Sequence, residues 1–151
     1  MDNFRLSKAP LSMKFLFTSL LCIVGLIYIS LLLNIYLVTN MKVAMISEGY
    51  GSMEITELAE HAQQFLPFYS IFLFTIPTVL FMFTSYSEKL KRVLAIFPFL
   101  VIVIDIASMW LIPYVSKGFS YVLWLAGTTL ATTFLLVFLS IMYDIWLRKT
   151  E

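Results

Sequence analysis

Four long apolar blocks, separated by shorter polar segments, dominate the chain. They cover residues 15–38, 68–86, 93–115 and 121–147. Each is close to or above the ~20 residues that a helix needs to cross a hydrocarbon core. No stretch alternates apolar and polar positions as a half-buried strand does. The pattern predicts an all-α membrane protein, with four transmembrane helices in an antiparallel bundle and one integral membrane domain over residues 1–151. SEKLKR (87–92) reads as a tight basic loop and SKGFS (116–120) as a turn, so spans two, three and four are antiparallel neighbours.

The connection at 40–67 is longer and patterned differently. SEGYGS (47–52) carries Gly49 and Gly51 and reads as a turn. MEITELAEHAQQF, which follows, reads as a short amphipathic helix between spans one and two. Ile55, Leu58, Ala62 and Phe65 recur at helical spacing, and Glu54, Glu57, Glu60 and His61 take the other side. Such a helix lies at the membrane surface or runs on into the second span, and Pro67 bends or ends it. Pro77 falls inside the second span, Pro98 near the start of the third and Pro113 near its end. A membrane helix tolerates proline where neighbours satisfy the freed carbonyl.

Composition agrees with this pattern. The chain is 61% hydrophobic and 13% charged, whereas soluble domains are nearer half apolar and a quarter charged. A net charge of +1 gives no electrostatic footprint for nucleic acid. Cys22 is the only cysteine, so no intrachain disulfide forms and the redox compartment is not readable from it. The first block is too long for a signal-peptide core, and no small-residue cleavage site follows it. Leu20 and Leu21 before Cys22 argue against a lipoprotein anchor.

Positive charge sets the expected orientation. Arg5, Lys8, Lys14, Lys89, Lys91, Arg92, Arg148 and Lys149 fall on one side; only Lys42 and Lys117 fall on the other. The positive-inside rule then places both termini in the cytoplasm of a bacterial inner membrane, with 40–67 on the outer face. Aromatic belts agree. Tyr36, Tyr69, Trp110, Tyr114, Tyr121 and Trp124 lie toward the outer ends, and Tyr86, Tyr143 and Trp146 toward the inner ends.

Within this frame Asp105 stands out. It lies near the centre of VLAIFPFLVIVIDIASMWLIPYV, and no Lys, Arg or His lies deep in any span. An intramembrane carboxylate costs about 2.5–3.5 kcal/mol on insertion scales and marks a candidate site. Its available partners are hydroxyls. Ser108 is one turn away. Thr128, Thr129, Thr132 and Thr133 form a block in span four, and Thr75 and Thr78 flank Pro77 at similar depth. Asp105, Ser108, Thr75, Thr78, Thr128, Thr132 and Thr133 form a candidate intramembrane polar site, either protonatable or cation-binding. The alternatives are an acid that pins helix register through hydrogen bonds of ~0.6 kcal/mol each, or a contact with a partner subunit. Gly127 and Ala131 form a small-xxx-small pair that favours close helix packing.

His61 is the only histidine, and it shares a helical face with Glu57 at i−4, with Gln64 following. His61, Glu57 and Gln64 form a candidate outer-surface ligand site. Two ligands on one face begin a metal site but do not complete one. A single histidine also excludes bis-histidine haem ligation within the chain. The plainer expectation is a solvated histidine on a Glu-rich face, with no metal and no cofactor. Phosphate-loop, zinc-protease and catalytic-triad patterns are absent, so no enzyme is expected. Asp144 and Arg148 are spaced for an i, i+4 ion pair.

From His61 onward the chain resembles a group of small four-span bacterial inner-membrane proteins without an established activity. The shared features are the histidine before span two, the basic segment after it, FPFLVIVIDIASMWLIPYV with its acid, and the YDIWL ending, together covering residues 61–147. Where those proteins carry a second histidine two positions on, this chain has Gln63. The resemblance implies architecture. Three function classes follow. The first is a non-enzymatic accessory or assembly subunit of a bacterial membrane complex, partnered by lipid and by another membrane protein or further copies of itself. The second is an oligomeric proton- or cation-coupled transporter using Asp105. The third is a redox subunit using His61.

Overall fold

The computed structural model describes residues 5–148, so Lys149 of the positive-charge count lies outside the described residues. A 3₁₀ turn, Leu6–Lys8, precedes α1 (Leu11–Thr39). Then come α2 (Val43–Gly51), α3 (Ile55–Pro67), a π-helical segment (Phe68–Thr75), α4 (Ile76–Met82), α5 (Glu88–Tyr114) and α6 (Phe119–Trp146). Four rods are long and apolar enough to cross a membrane: Leu11–Thr39, Ile55–Met82, Glu88–Tyr114 and Phe119–Trp146. The protein is therefore an all-helical, multi-pass membrane protein, and no strand occurs among the described residues.

Two boundaries differ from the sequence reading, and one open alternative is decided. SEGYGS is not a turn: Gly49 and Gly51 lie inside α2, and no described glycine has a positive φ. The chain reverses instead at Asn40 and Met41, at φ 46° and 55°. Asn tolerates the left-handed region, and the Asn40 amide caps α1 by donating to the Tyr36 carbonyl at 2.8 Å. The basic segment after span two is not a loop either, because α5 begins at Glu88 and carries Lys89, Lys91 and Arg92 in its first turns. Of the two placements expected for α3, the structure has the one that runs on into the second span. The helix starts with a capping box, in which the Glu54 amide donates to Glu57 Oε2 at 3.0 Å, and continues unbroken into the second span.

The two prolines of that rod explain its middle. Pro67 and Pro77 each lack the amide that an α-turn needs, and they bracket the π-helical stretch. The wider turn is supported from the side chains: the Ser70 hydroxyl donates to the Leu66 carbonyl at 2.7 Å and Thr75 to the Ser70 carbonyl. The segment sends Tyr69, Leu73 and Phe74 into the bundle.

α5 and α6 share the largest interface. α1 packs lightly, burying only Leu21, Val24 and Tyr28. Leu16, Ile23, Leu26, Leu33 and Leu37 on α1 are exposed, which suits acyl chains rather than water. The core has three parts. A central layer includes Val24, Tyr28, Tyr69, Phe74, Ile102 and Phe134. A second layer, at the end of the bundle that holds both termini, includes Leu6, Leu21, Phe81, Val137 and Ile141. A third, at the α2 end, gathers Ile46, Leu58, Met109, Ile112 and Leu123.

The terminal end is tied by directional bonds. The Leu6 amide donates to the Phe83 carbonyl at 2.9 Å, and Trp146 Nε1 donates to Thr18 Oγ1 at 2.9 Å. Asp144 Oδ1 accepts from the Ser85 amide at 3.1 Å and from Arg148 Nη1 at 3.2 Å, forming the ion pair its spacing predicts. The same guanidinium lies over the Tyr86 ring at 5.5 Å.

Candidate functional site

Packing density changes along the bundle. Below the central layer the four rods close on one another; toward α2 they part around a cavity of about 390 Å³. Its walls come from every rod and from α2. Tyr28, Leu31, Leu32 and Ile35 follow one face of α1 at i, i+3, i+4 and i+7. Ile46 and Tyr50 hang from α2, His61, Phe65 and Tyr69 come from α3 and the π-helical segment, Asp105 and Met109 from α5, and Gly127, Thr128 and Ala131 from α6.

Asp105 lies on the wall of this cavity and is only 4% exposed. No hydrogen-bond donor or cation among the described residues reaches its carboxylate. Five of the seven hydroxyls expected around it, those of Thr75, Ser108, Thr128, Thr129 and Thr132, are turned to their own helices. Ser108 donates to the Ile104 carbonyl at 2.7 Å, Thr128 to Leu125 at 2.9 Å, Thr129 to Leu125 at 2.7 Å and Thr132 to Thr128 at 2.9 Å. In a dry helix a hydroxyl satisfies itself cheaply by bonding back one turn, so hydroxyl content alone does not build a carboxylate cage. Thr75 and Thr132 are exposed on the outside of the bundle. Thr78, Thr133 and Ser108 are buried but do not line the cavity. Of the intramembrane set, only Asp105 and Thr128 share its wall.

What faces the carboxylate's cavity is aromatic. Tyr28, Tyr50 and Tyr69 all line it. Tyr69 was assigned to the outer aromatic belt by its position; it is 7% exposed and faces inward. The Tyr50 hydroxyl, on α2, is pushed up to about 12, first by burial and then by the negative charge of Asp105. A mid-span tyrosine away from the interfacial belts was the signal available for Tyr28. Nothing in the pattern singled out Tyr50, because it lay in a segment read as a turn.

His61 is also placed differently. It is half-buried, stacked on Phe65 with ring centres 5.6 Å apart and planes at 4°, and met edge-on by Tyr50 at 6.1 Å. Phe65 in turn stacks on Tyr69 at 5.6 Å. The inward face of α3 therefore runs through Leu58, His61, Phe65 and Tyr69, while Ile55, expected inside, is 61% exposed. Met53, Glu57, Glu60, His61 and Gln64 line a second, surface depression of about 280 Å³. Met53 and His61 line both spaces, so the two sites treated separately in the sequence meet at that histidine. Among the described residues no group of three or more His, Cys, Asp or Glu is placed to hold a metal ion.

Gly127 reverses its sequence reading as well. A Cβ built there meets nothing within 4 Å, and both Gly127 and Ala131 border the cavity. These small residues leave room rather than bring a helix closer. At Gly25, by contrast, an added Cβ would meet the Phe138 ring at 3.5 Å, in ordinary van der Waals contact.

Residues 51–151 match the Aq_1264_TM family, described as a transmembrane helical domain. The chain belongs to that family. The matched region begins at the end of α2 and takes in α3 through α6, hence His61, Tyr69, Asp105 and Gly127, but not Tyr28 or Tyr50. No curated protein and no solved structure matches the chain.

Proposed function

We propose that this protein is a non-enzymatic, ligand-holding accessory subunit of a bacterial inner-membrane assembly, with both termini cytoplasmic and the α2 end on the outer face. The observation that carries this reading is the cavity that reaches the unpartnered carboxylate of Asp105 in mid-bundle. Its volume of about 390 Å³ falls in the range of small-molecule sites, ~300–1,000 Å³. Such sites are mostly apolar with a few polar anchors, and here Asp105 is the anchor.

The same geometry favours holding a ligand over passing one through. On the far side of Asp105, Val24, Phe74, Ile102 and Phe134 fill the central layer, and the Leu21, Phe81 and Ile141 layer lies beyond it. A transport path has to open both layers. The lone histidine stacks on the Phe65 ring at the cavity's edge, and among the described residues no group of three or more His, Cys, Asp or Glu is placed to hold a metal with it, which favours a ligand-holding over a metal redox role.

The test is extraction in a mild detergent followed by mass spectrometry of the intact complex. The expected result is a stoichiometric foreign subunit together with a bound small molecule that Asp105→Asn releases. A bare monomer or homo-oligomer with nothing bound overturns the reading.

A further inference from the structure

The ligand-holding reading leaves the chemistry of the ligand open, and the charge pattern around the cavity narrows it. Neither the cavity nor the depression above it is lined by a Lys or Arg side chain. Glu57 and Glu60 stand at the surface depression, and Asp105 stands inside. Apart from the His61 imidazole, the charge-bearing side chains along this route are the carboxylates of Glu57, Glu60 and Asp105. Anions are disfavoured throughout.

A bare metal ion is also a poor fit. Hard cations take six or more oxygen ligands, whereas the cavity offers one carboxylate on a mainly apolar wall; its other side-chain oxygens are the Asn34 amide, three tyrosine hydroxyls, and Thr39 and Thr128, whose hydroxyls bond their own helices. Aromatic faces, by contrast, attract cations through their quadrupoles, and tyrosine is among the effective rings. Tyr28, Tyr50 and Tyr69 reach the cavity from three different elements.

We propose that the cavity binds a lipophilic organic cation, with the Asp105 carboxylate as counter-ion and the rings of Tyr28, Tyr50 and Tyr69 as its walls. This rests on the ligand-holding reading above. The positive group replaces the donor that the chain does not supply to Asp105. The apolar remainder of the ligand takes the place of lipid or water against Leu31, Ile46 and Met109. Glu57 and Glu60 raise the local concentration of cations at the mouth.

The experiment uses the full-length protein in mild detergent, with radiolabelled tetraphenylphosphonium as the probe and triphenylphosphine oxide as its uncharged counterpart. Expected is saturable binding of one cation per chain, weakened at least tenfold by Asp105→Asn and retained by Asp105→Glu. The uncharged compound should not compete. Gly127→Leu, which fills the cavity from a position where a Cβ meets nothing, should weaken binding to a similar extent with Asp105 intact. That second variant keeps the test decisive if Asp105→Asn does not fold. Binding that survives both substitutions, or equal competition by the phosphine oxide, overturns the proposal. A neutral molecule that co-purifies and is released by both substitutions, with no cation binding, overturns the cation while leaving the ligand-holding reading in place. An empty cavity that takes up neither overturns both.

Discussion

Asp144 lies near the end of α6, fully buried, and its Oδ1 takes the Ser85 amide at 3.1 Å and the Arg148 guanidinium at 3.2 Å. Asp105 lies in the middle of α5, almost as deeply buried, and no donor among the described residues reaches it. A buried carboxylate is expensive unless paired and hydrogen-bonded. Asp144 meets that condition through Oδ1 alone, its Oδ2 being buried without a hydrogen bond, and ties α6 to the segment between α4 and α5. Asp105 does not meet it, and opens on a cavity. Similar burial thus conceals different surroundings: one acid joins two elements of its own chain, while the other faces a cavity.

Substitutions break or sharpen this contrast, and Asp144→Ala has the largest expected effect. It leaves the Ser85 amide and the Arg148 guanidinium without their acceptor, a loss of about 2–3 kcal/mol for bonds to a charged group. Thermal unfolding in detergent should shift down by several degrees; an unchanged midpoint means that Asp144 is no joint. Trp146→Phe removes the Nε1 bond to Thr18 and trims the ring that meets Phe15 edge-on, and should cost about 1 kcal/mol in the same assay. Arg148→Gln should cost about 1 kcal/mol, because Arg148 is 37% exposed and partly screened while the buried Asp144 loses its cation and Tyr86 its guanidinium. Gly49→Ala should raise stability by about 0.5–1 kcal/mol, because Gly49 is helical and a Cβ there meets nothing within 4 Å. A loss there would restore the turn. Asp105→Leu should be close to neutral, since a buried polar group without a partner is replaced by an apolar one. A clear destabilisation at Asp105 would show a structural bond there and erase the contrast.

Much of the fold was legible in the sequence. The four blocks, the helix at 55–67 and the Asp144–Arg148 pair all follow from hydropathy and i, i+4 spacing, which are local properties. The errors came where local rules met tertiary context. Glycines at 49 and 51 suggested a turn, yet α2 folds as a helix where Ile46 packs with Leu58 and Met109, and the reversal fell to Asn40 and Met41. The Glu-rich face of α3 suggested a solvated His61; the half-buried ring does border the surface depression with Glu57 and Gln64, but it also stacks on Phe65 at i+4 and lines the cavity. The threonine block suggested partners for Asp105, yet Thr128, Thr129 and Thr132 bond their own helix.

The sequence by itself determined that this chain spans a membrane four times and that one acid is lodged in its interior. Twenty apolar residues have few stable alternatives in lipid, and a charge among them is conspicuous without knowledge of its neighbours. Only the tertiary structure decided that Tyr28, Tyr50, Tyr69 and His61 share a cavity with Asp105, and that Gly127 opens space there rather than closing it. Those relations depend on the rotation and separation of five helical elements about one another. Long-range packing sets these quantities, and no single segment encodes them.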